Sequence, residues 1–387
     1  MRKGNLRFMC AGANAGRLPE VEVEGLLIST GFDVKNEWFI QKTKEMINRG
    51  KPKHLMLDSG GYQIHCAEKK GIPMSFDPDM PLKVTGKALN IAPQHVLEQA
   101  VEINADHVVA LDFPIKKTND PYEQEQEFRD KLKYNVPWAI ETARLRKKLC
   151  PEATLFIPVQ AYTLKQFDEF YERIKGIDFD GFSLPKRNMQ MKDVAMFLMR
   201  MHELGIRKVH ILGSSSLPII SVCAFMSQRF FDWISFDSTT WRMKAQNGEF
   251  IHPYDHKCLK LHKVGSYDPR FRCYCSSCKG RSLNQIAHLN KKEKRKVLVT
   301  HNYLAIQDVC MEFGEAMFDT HYLEDRLKGC KRTDIKMILQ GMTEIEKMCS
   351  VRERRTSRPA YTRPRHSFNH SHTHMDIRST QKPVLRE

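Results

Sequence analysis

The chain has 387 residues, 41% of them hydrophobic, and a formal net charge of +16 with a pI near 9.3. That length suits one large α/β barrel with insertions or two ordinary domains, and the apolar share can bury a sizeable core. The charge favours a polyanionic partner, nucleic acid before a membrane surface, while eleven scattered cysteines exclude a secreted disulfide framework. The opening MRKGNLRFMCAGANAG holds an apolar patch at residues 8–11, too short for a secretory signal, and no run approaches a membrane span. A soluble intracellular protein with no membrane partner is expected.

In chain order, short apolar runs at 25–28, 54–57, 107–111, 154–157, 179–183, 208–212, 230–236 and 297–300 predict eight strands. Such runs suit parallel strands covered on both faces. Helical patterns fall between them at 93–104, 122–149, 164–174, 191–204 and 218–228, with Pro137 as an expected break or kink in the second. Strand alternating with helix implies right-handed crossovers, and eight units imply an α/β fold of (β/α)8 TIM type. An open doubly wound sheet stays an alternative, because residues 6–12 could add a further strand.

The rhythm breaks after Asp237. Residues 239–295 are too many for a simple strand-to-helix connection and read as an inserted subdomain. The barrel is expected over 1–238 and 296–349, with closing helices at 303–317 and 322–348. Residues 350–387 mix arginines with Pro, Ser and Thr and then carry His366, His370, His372 and His374. That composition cannot bury a core, so a basic, disordered tail is expected.

The insertion contains Cys273-Tyr-Cys275-Ser-Ser-Cys278. Three thiolates with one imidazole make a closed tetrahedral zinc site, structural because no ligand position is left for water. His301, His288 and His262 are candidates for the fourth ligand. A zinc deaminase needs H-x-E and P-C-x-x-C; His202-Glu203 has the wrong spacing and no proline precedes Cys275.

The strand ends carry the chemistry. DSGGYQ begins at Asp58, LDFP spans Leu111 to Pro114, Gln160 follows the 154–157 run, GSSS begins at Gly213, and FFDWISFDS places Asp237 at its end. In a barrel these carboxyl ends converge on one pocket. Two carboxylates facing a glycosidic bond can break it, one attacking the sugar carbon while the other manages protons. A further carboxylate with an amide can read a base edge.

With Gly-Phe-Ser at Gly181, HILG at His210 and HN at His301-Asn302, these motifs resemble the tRNA-guanine transglycosylase superfamily, in order, from about residue 25 to about 304. The resemblance implies a β/α barrel with structural Zn2+ and exchange of guanine in a polynucleotide for a 7-deazaguanine base. It makes His301 the fourth zinc ligand beside Cys273, Cys275 and Cys278. Asp237 resembles the nucleophile of a covalent glycosyl–enzyme intermediate, and Asp58 the general acid/base. Asp112 and Gln160 resemble the base-reading pair, with Ser59, Gly60 and Gly61 lining the pocket and Gly213 giving a backbone contact. The base must leave its stack to arrive there. A homodimer is compatible with the superfamily.

The chain departs from the tRNA enzymes after residue 181, in the serine-rich loop from Gly213, and at Ser238-Thr-Thr-Trp-Arg242. These departures resemble the DNA-guanine transglycosylases of DNA modification, so DNA is the expected acceptor, in the cytoplasm of a bacterial or phage-infected cell. The alternatives are a queuosine-type tRNA-guanine transglycosylase and a non-catalytic nucleic-acid-binding subunit of the same fold. Lys186, Arg187, Arg242 and Lys244 are expected phosphate contacts.

Overall fold

The computed structural model of the protein describes residues 5–12, 18–30, 37–75, 82–84, 87–186, 189–266, 270–315, 325–327 and 330–356. Eight strands form a closed barrel: β1 Leu6–Cys10, β2 Gly25–Ser29, β3 His54–Asp58, β4 His107–Val109, β5 Thr154–Pro158, β6 Gly181–Pro185, β7 Lys208–Leu212 and β8 Trp233–Ser238. All neighbours pair in parallel, and β1 closes the ring between β8 and β2. The helices Pro93–Glu102, Leu164–Ile174, Met191–Glu203 and Leu217–Ser227 fall between successive strands. The architecture is the expected TIM-type barrel.

One strand is not where the sequence puts it. Residues 297–300 lie inside the helix Lys291–Glu315, and the eighth strand is Leu6–Cys10. A short apolar run reads alike on a strand and on a buried helix face. Here Leu298, Asn302, Ala305 and Val309 recur at helical spacing and are buried. The ring of Phe8 in β1 stacks between Phe236 at 5.4 Å and Tyr303 at 5.8 Å. Each such pair adds about 0.5–1.5 kcal/mol beyond area burial, so β1 and the long helix are locked together at the closure.

A second departure is Pro137, which does not end its helix: Pro121–Leu149 is one element. Pro137 is half-buried, and Leu132, Asn135, Trp138 and Ala139 around it are buried. The helix Arg332–Thr356 likewise runs past residue 350, and no proline stands in the chain from Arg332 until Pro359. The chain divides into two compact units, Met1–Met348 and Cys349–Glu387, and the barrel belongs to the first. Arg187 and the histidines of the tail lie outside the described residues.

Alternation along a strand sends every second side chain into the barrel. The floor is polar and aromatic, with the Trp233 ring 4.8 Å from His54 and 5.0 Å from His107. Above it Met9, Leu27, Met56, Val109 and Phe156 form a packed apolar layer. Asp58 stands two residues beyond Met56 on β3, and Asp237 four beyond Trp233 on β8. The carboxylates therefore crown a filled core at the carboxyl end of the strands, where barrel sites are built.

Candidate active site

Asp58 is the last residue of β3, opposite Ser29 of β2. The Ser29 hydroxyl donates to Asp58 Oδ2 at 3.1 Å. Burial, and then the charges of Asp112 and Asp237, push the Asp58 carboxyl from 3.8 up to about 7, against hydrogen bonds from Ser29 and the Ser59 backbone. Those repulsions mean that the strand ends do bring the three carboxylates together. A group poised near neutrality can both give and take a proton.

Asp112 follows β4 and is buried with Gln160, which follows β5. The Ser59 hydroxyl donates to Asp112 Oδ1 at 2.6 Å, and the Gln160 amide donates to Oδ2. Gln160 Oε1 in turn accepts from the Ile115 amide at 3.1 Å, which orients the side-chain amide. The loop carrying Asp112 is clamped from the long helix, where Asn135 accepts from Phe113 N at 2.7 Å and donates to Phe113 O at 3.1 Å. Gly60 turns the chain at φ +85°, a left-handed conformation that favours glycine. Gly61 is required by space, because a Cβ there would stand 2.3 Å from Asp112 Oδ1.

Asp237 is held through one oxygen. The Gly213 amide donates to Oδ1 at 2.8 Å, and His210 Nε2 lies 3.3 Å from the same atom. No described residue donates to Oδ2. Gly213, expected to contact a base, thus spends its N–H on Asp237, from a φ of +80°. Sequence reading assigned no role to Ser29, Asn135 or His210. For His210 the only sequence signal was its place in the HILG run; its register with Ser235, two residues before Asp237 on the same inward face, is tertiary.

The loops that depart from the tRNA pattern pack on each other. Ser215 and Ser238 share a hydrogen bond of 2.6 Å, Trp241 is fully buried, and its indole donates to Ala11 O at 3.2 Å. Of the expected phosphate contacts, Lys186 donates to Met189 O at 2.6 Å, Lys244 pairs with Glu249 at 2.7 Å, and Arg242 lies against Gly12. A separate cleft of about 910 Å³ is more basic, lined by Arg49, Lys51, Lys291, Lys292, Arg295 and Lys296. Glu22 and Glu20 offset Lys51 and Lys296 there, at 3.7 and 2.7 Å.

Cys273, Cys275, Cys278 and His301 form one cluster whose ligand atoms lie within 4.8 Å of one another. His301 Nδ1 is 3.4 Å from Cys273 Sγ and 3.5 Å from Cys275 Sγ. Tetrahedral zinc with Zn–S of about 2.3 Å and Zn–N of about 2.0 Å spaces sulfur and nitrogen by about 3.5 Å. The other ring nitrogen faces Ile251 O at 2.8 Å. Donation there leaves the Nδ1 lone pair for a metal. His301 therefore completes the set, while His288 Nδ1 is directed to Asn284 O. Crowding splits the thiols: hydrogen bonds from Cys273 and Cys278 hold Cys275 far below its ordinary range, and the same kind of contact pushes Cys278 far above. The cluster could hold a metal ion. Asn302 beside it accepts from Ile251 N and donates to Trp241 O and Glu249 O, tying the cluster to the helix that follows Asp237.

A parallel eight-stranded barrel with convergent carboxylates at its mouth, and a Cys3His cluster that joins three cysteines to His301 on the helix Lys291–Glu315, define the class of protein. Its family follows from comparison: the profile of the queuine tRNA-ribosyltransferase family matches residues 39–333, and the chain belongs to that family. It is similar to the tRNA-guanine(15) transglycosylase of Methanococcus aeolicus, 21% identical over 320 residues, or 76% of this chain and 47% of that protein. The enzyme of the same name from Korarchaeum cryptofilum is 22% identical over 260 residues, 66% of this chain and 39% of the relative. That of Archaeoglobus fulgidus is 22% identical over 261 residues, 63% and 50%. The chain spans about half the length of these relatives or less. Among the described residues no helix is long and apolar enough to cross a membrane.

Proposed function

We propose that the barrel exchanges guanine in a polynucleotide for a 7-deazaguanine base through a covalent intermediate on Asp237. An Asp237 oxygen attacks C1′, the C1′–N9 bond breaks, and Asp58 gives its proton to the departing guanine. The incoming base then returns a proton to Asp58 as its ring nitrogen attacks C1′ and releases Asp237. Asp112 accepts from the amino and imino hydrogens of the base edge, and Gln160 with Ser59 holds that carboxylate in place. Gly61 leaves room for the base to approach. Tyr62, 61% exposed in the first turn of the helix Gly61–Lys69, offers a ring face to a flipped nucleotide. The observation that carries this reading is Asp58 held near 7 beside Asp237, since one carboxyl can then be protonated where another attacks.

A zinc ion at the Cys3His cluster serves structure in this scheme and enters no chemical step. We favour tRNA as the acceptor, which reverses the expectation of DNA. The similar proteins are tRNA-guanine(15) transglycosylases by name and come from archaea, not from a bacterial or phage setting. The loops that suggested DNA have a packing explanation in the Ser215–Ser238 contact and the buried Trp241. The intact set of Asp58, Asp112 and Asp237 argues against a non-catalytic subunit. The test supplies the protein with a labelled 7-deazaguanine base, tRNA and DNA, then digests each nucleic acid and measures nucleosides by mass spectrometry. Label in tRNA supports the reading, label in DNA alone moves the acceptor, and label in neither refutes the activity. Asp237→Asn must abolish incorporation.

A further inference from the structure

We propose that His210, Ser235 and Trp233 form a proton-ordered relay beneath Asp237 that anchors its Oδ1 and leaves Oδ2 as the attacking oxygen. The inference rests on the reading of Asp237 as nucleophile and deepens it by naming the residues that position it. Trp233, Ser235 and Asp237 alternate on the inward face of β8, and His210 of β7 pairs in register with Ser235. The Trp233 indole N–H lies 3.1 Å from Ser235 Oγ, Ser235 Oγ lies 2.8 Å from His210 Nδ1, and His210 Nε2 lies 3.3 Å from Asp237 Oδ1.

The order of donors follows from chemistry. An indole N–H can only donate, so Ser235 accepts from Trp233 and has its own hydrogen to give to Nδ1. Neutral His210 then carries its proton on Nε2, the ring nitrogen that stands 3.3 Å from the carboxylate. The opposite tautomer would face a lone pair against Asp237 Oδ1, and a doubly protonated ring again places N–H there. His210 and Ser235 are fully buried, so water cannot satisfy the ring nitrogens in place of the protein.

Ser235, His210 and Asp237 match a serine hydrolase triad in residue type, but the geometry runs the other way. Ser235 sits at the closed end with no exposure and cannot reach a substrate, while the carboxylate occupies the open end. The relay therefore serves Asp237. The Gly213 amide donates to Oδ1, and His210 Nε2, buried with no hydrogen-bond partner of its own among the described residues, stands 3.3 Å from the same oxygen, within reach of donating to it; with both in place the carboxylate cannot rotate, and Oδ2 has no donor among the described residues to weaken it as a nucleophile. His210 is a positioning residue that acts on the sugar only through Asp237.

The test uses the full chain with His210→Phe, His210→Gln and Trp233→Phe. His210→Phe should lower kcat for base exchange by about 10²-fold, the scale of losing one oriented donor in a dry site, with KM for polynucleotide and base nearly unchanged. His210→Gln keeps an N–H donor and should recover most of that loss, which a residue needed only for packing would not require. Trp233→Phe should cost several-fold in kcat by freeing the Ser235 hydroxyl. In 15N-histidine spectra, with His210 assigned by difference against His210→Gln, the ring should carry its proton on Nε2. Full kcat in His210→Phe, or a proton on Nδ1 alone, overturns the relay. No exchange by the parent protein overturns the nucleophile reading and the oxygen assignment with it, while the tautomer still decides the relay by itself.

Discussion

Asp58→Asn should stabilise the protein while ending base exchange. The Asp58 carboxyl lies at about 7 in the folded chain against an ordinary value of 3.8. A group raised on folding binds its proton more tightly in the native state. Its contribution is therefore fully present below 3.8, and is lost as pH rises towards about 7. At about 1.4 kcal/mol per pH unit, the loss comes to at most about 4 kcal/mol at pH 8. With an unfolding entropy of about 2.1 cal/mol/K per residue over 387 residues, that is about 5 °C in Tm. Asparagine keeps the size of the side chain and an acceptor for Ser29 but carries no charge, so it escapes the loss. Differential scanning fluorimetry of both proteins from pH 4 to 8.5 is the assay. The two should melt together near pH 4, separate as pH rises, and hold a constant gap above pH 7 with the variant higher. A variant that melts at or below the parent at pH 8, or an offset independent of pH, would falsify the account of Asp58 as a carboxyl strained by burial and by Asp112 and Asp237.

Three further outcomes can be checked with the same preparations. Gly61→Ala puts a methyl group where Asp112 Oδ1 stands; losing one charge-assisted hydrogen bond at about 1.5–3 kcal/mol should raise KM for the incoming base about 10- to 100-fold, as steady-state kinetics will read. Elemental analysis should find zinc in the parent and none in Cys278→Ser, and the variant should also melt earlier because Asn302 ties the cluster to Trp241 and Glu249; equal Tm values with and without metal would remove the structural role. Reversing charge in the basic cleft with Lys291→Glu and Lys292→Glu should weaken tRNA binding and reduce the salt slope of log K by about 1 for each phosphate no longer neutralised. An unchanged slope in titrations across salt would leave the cleft without a part in binding.

Much of the site can be read from the chain alone because its parts are local. Asp58, Asp112, Gln160 and Asp237 each sit at or just beyond a run of strand-forming residues, and a parallel barrel brings such ends to one mouth whatever its exact register. Cys273, Cys275 and Cys278 are close in sequence and need no fold to be recognised as a ligand set. Where meaning depends on a partner distant in the chain, sequence is silent or misleads. The run at 297–300 reads as a strand until its burial against β1 and the insertion makes it helix, and Leu6–Cys10 is a barrel strand because it is the segment that pairs with both β8 and β2. The choice of His301 over His288 is decided by Ile251 O, fifty positions away, which takes the other ring nitrogen. The value of Asp58 and the asymmetry of Asp237 are likewise tertiary. A carboxyl acquires a proton affinity near 7 only from the burial and the like charges around it. Asp237 acquires one held oxygen and one open one only because β7 sets His210 and Gly213 against β8. Residue types are written along the chain, but desolvation and donor geometry come into being only when the barrel closes.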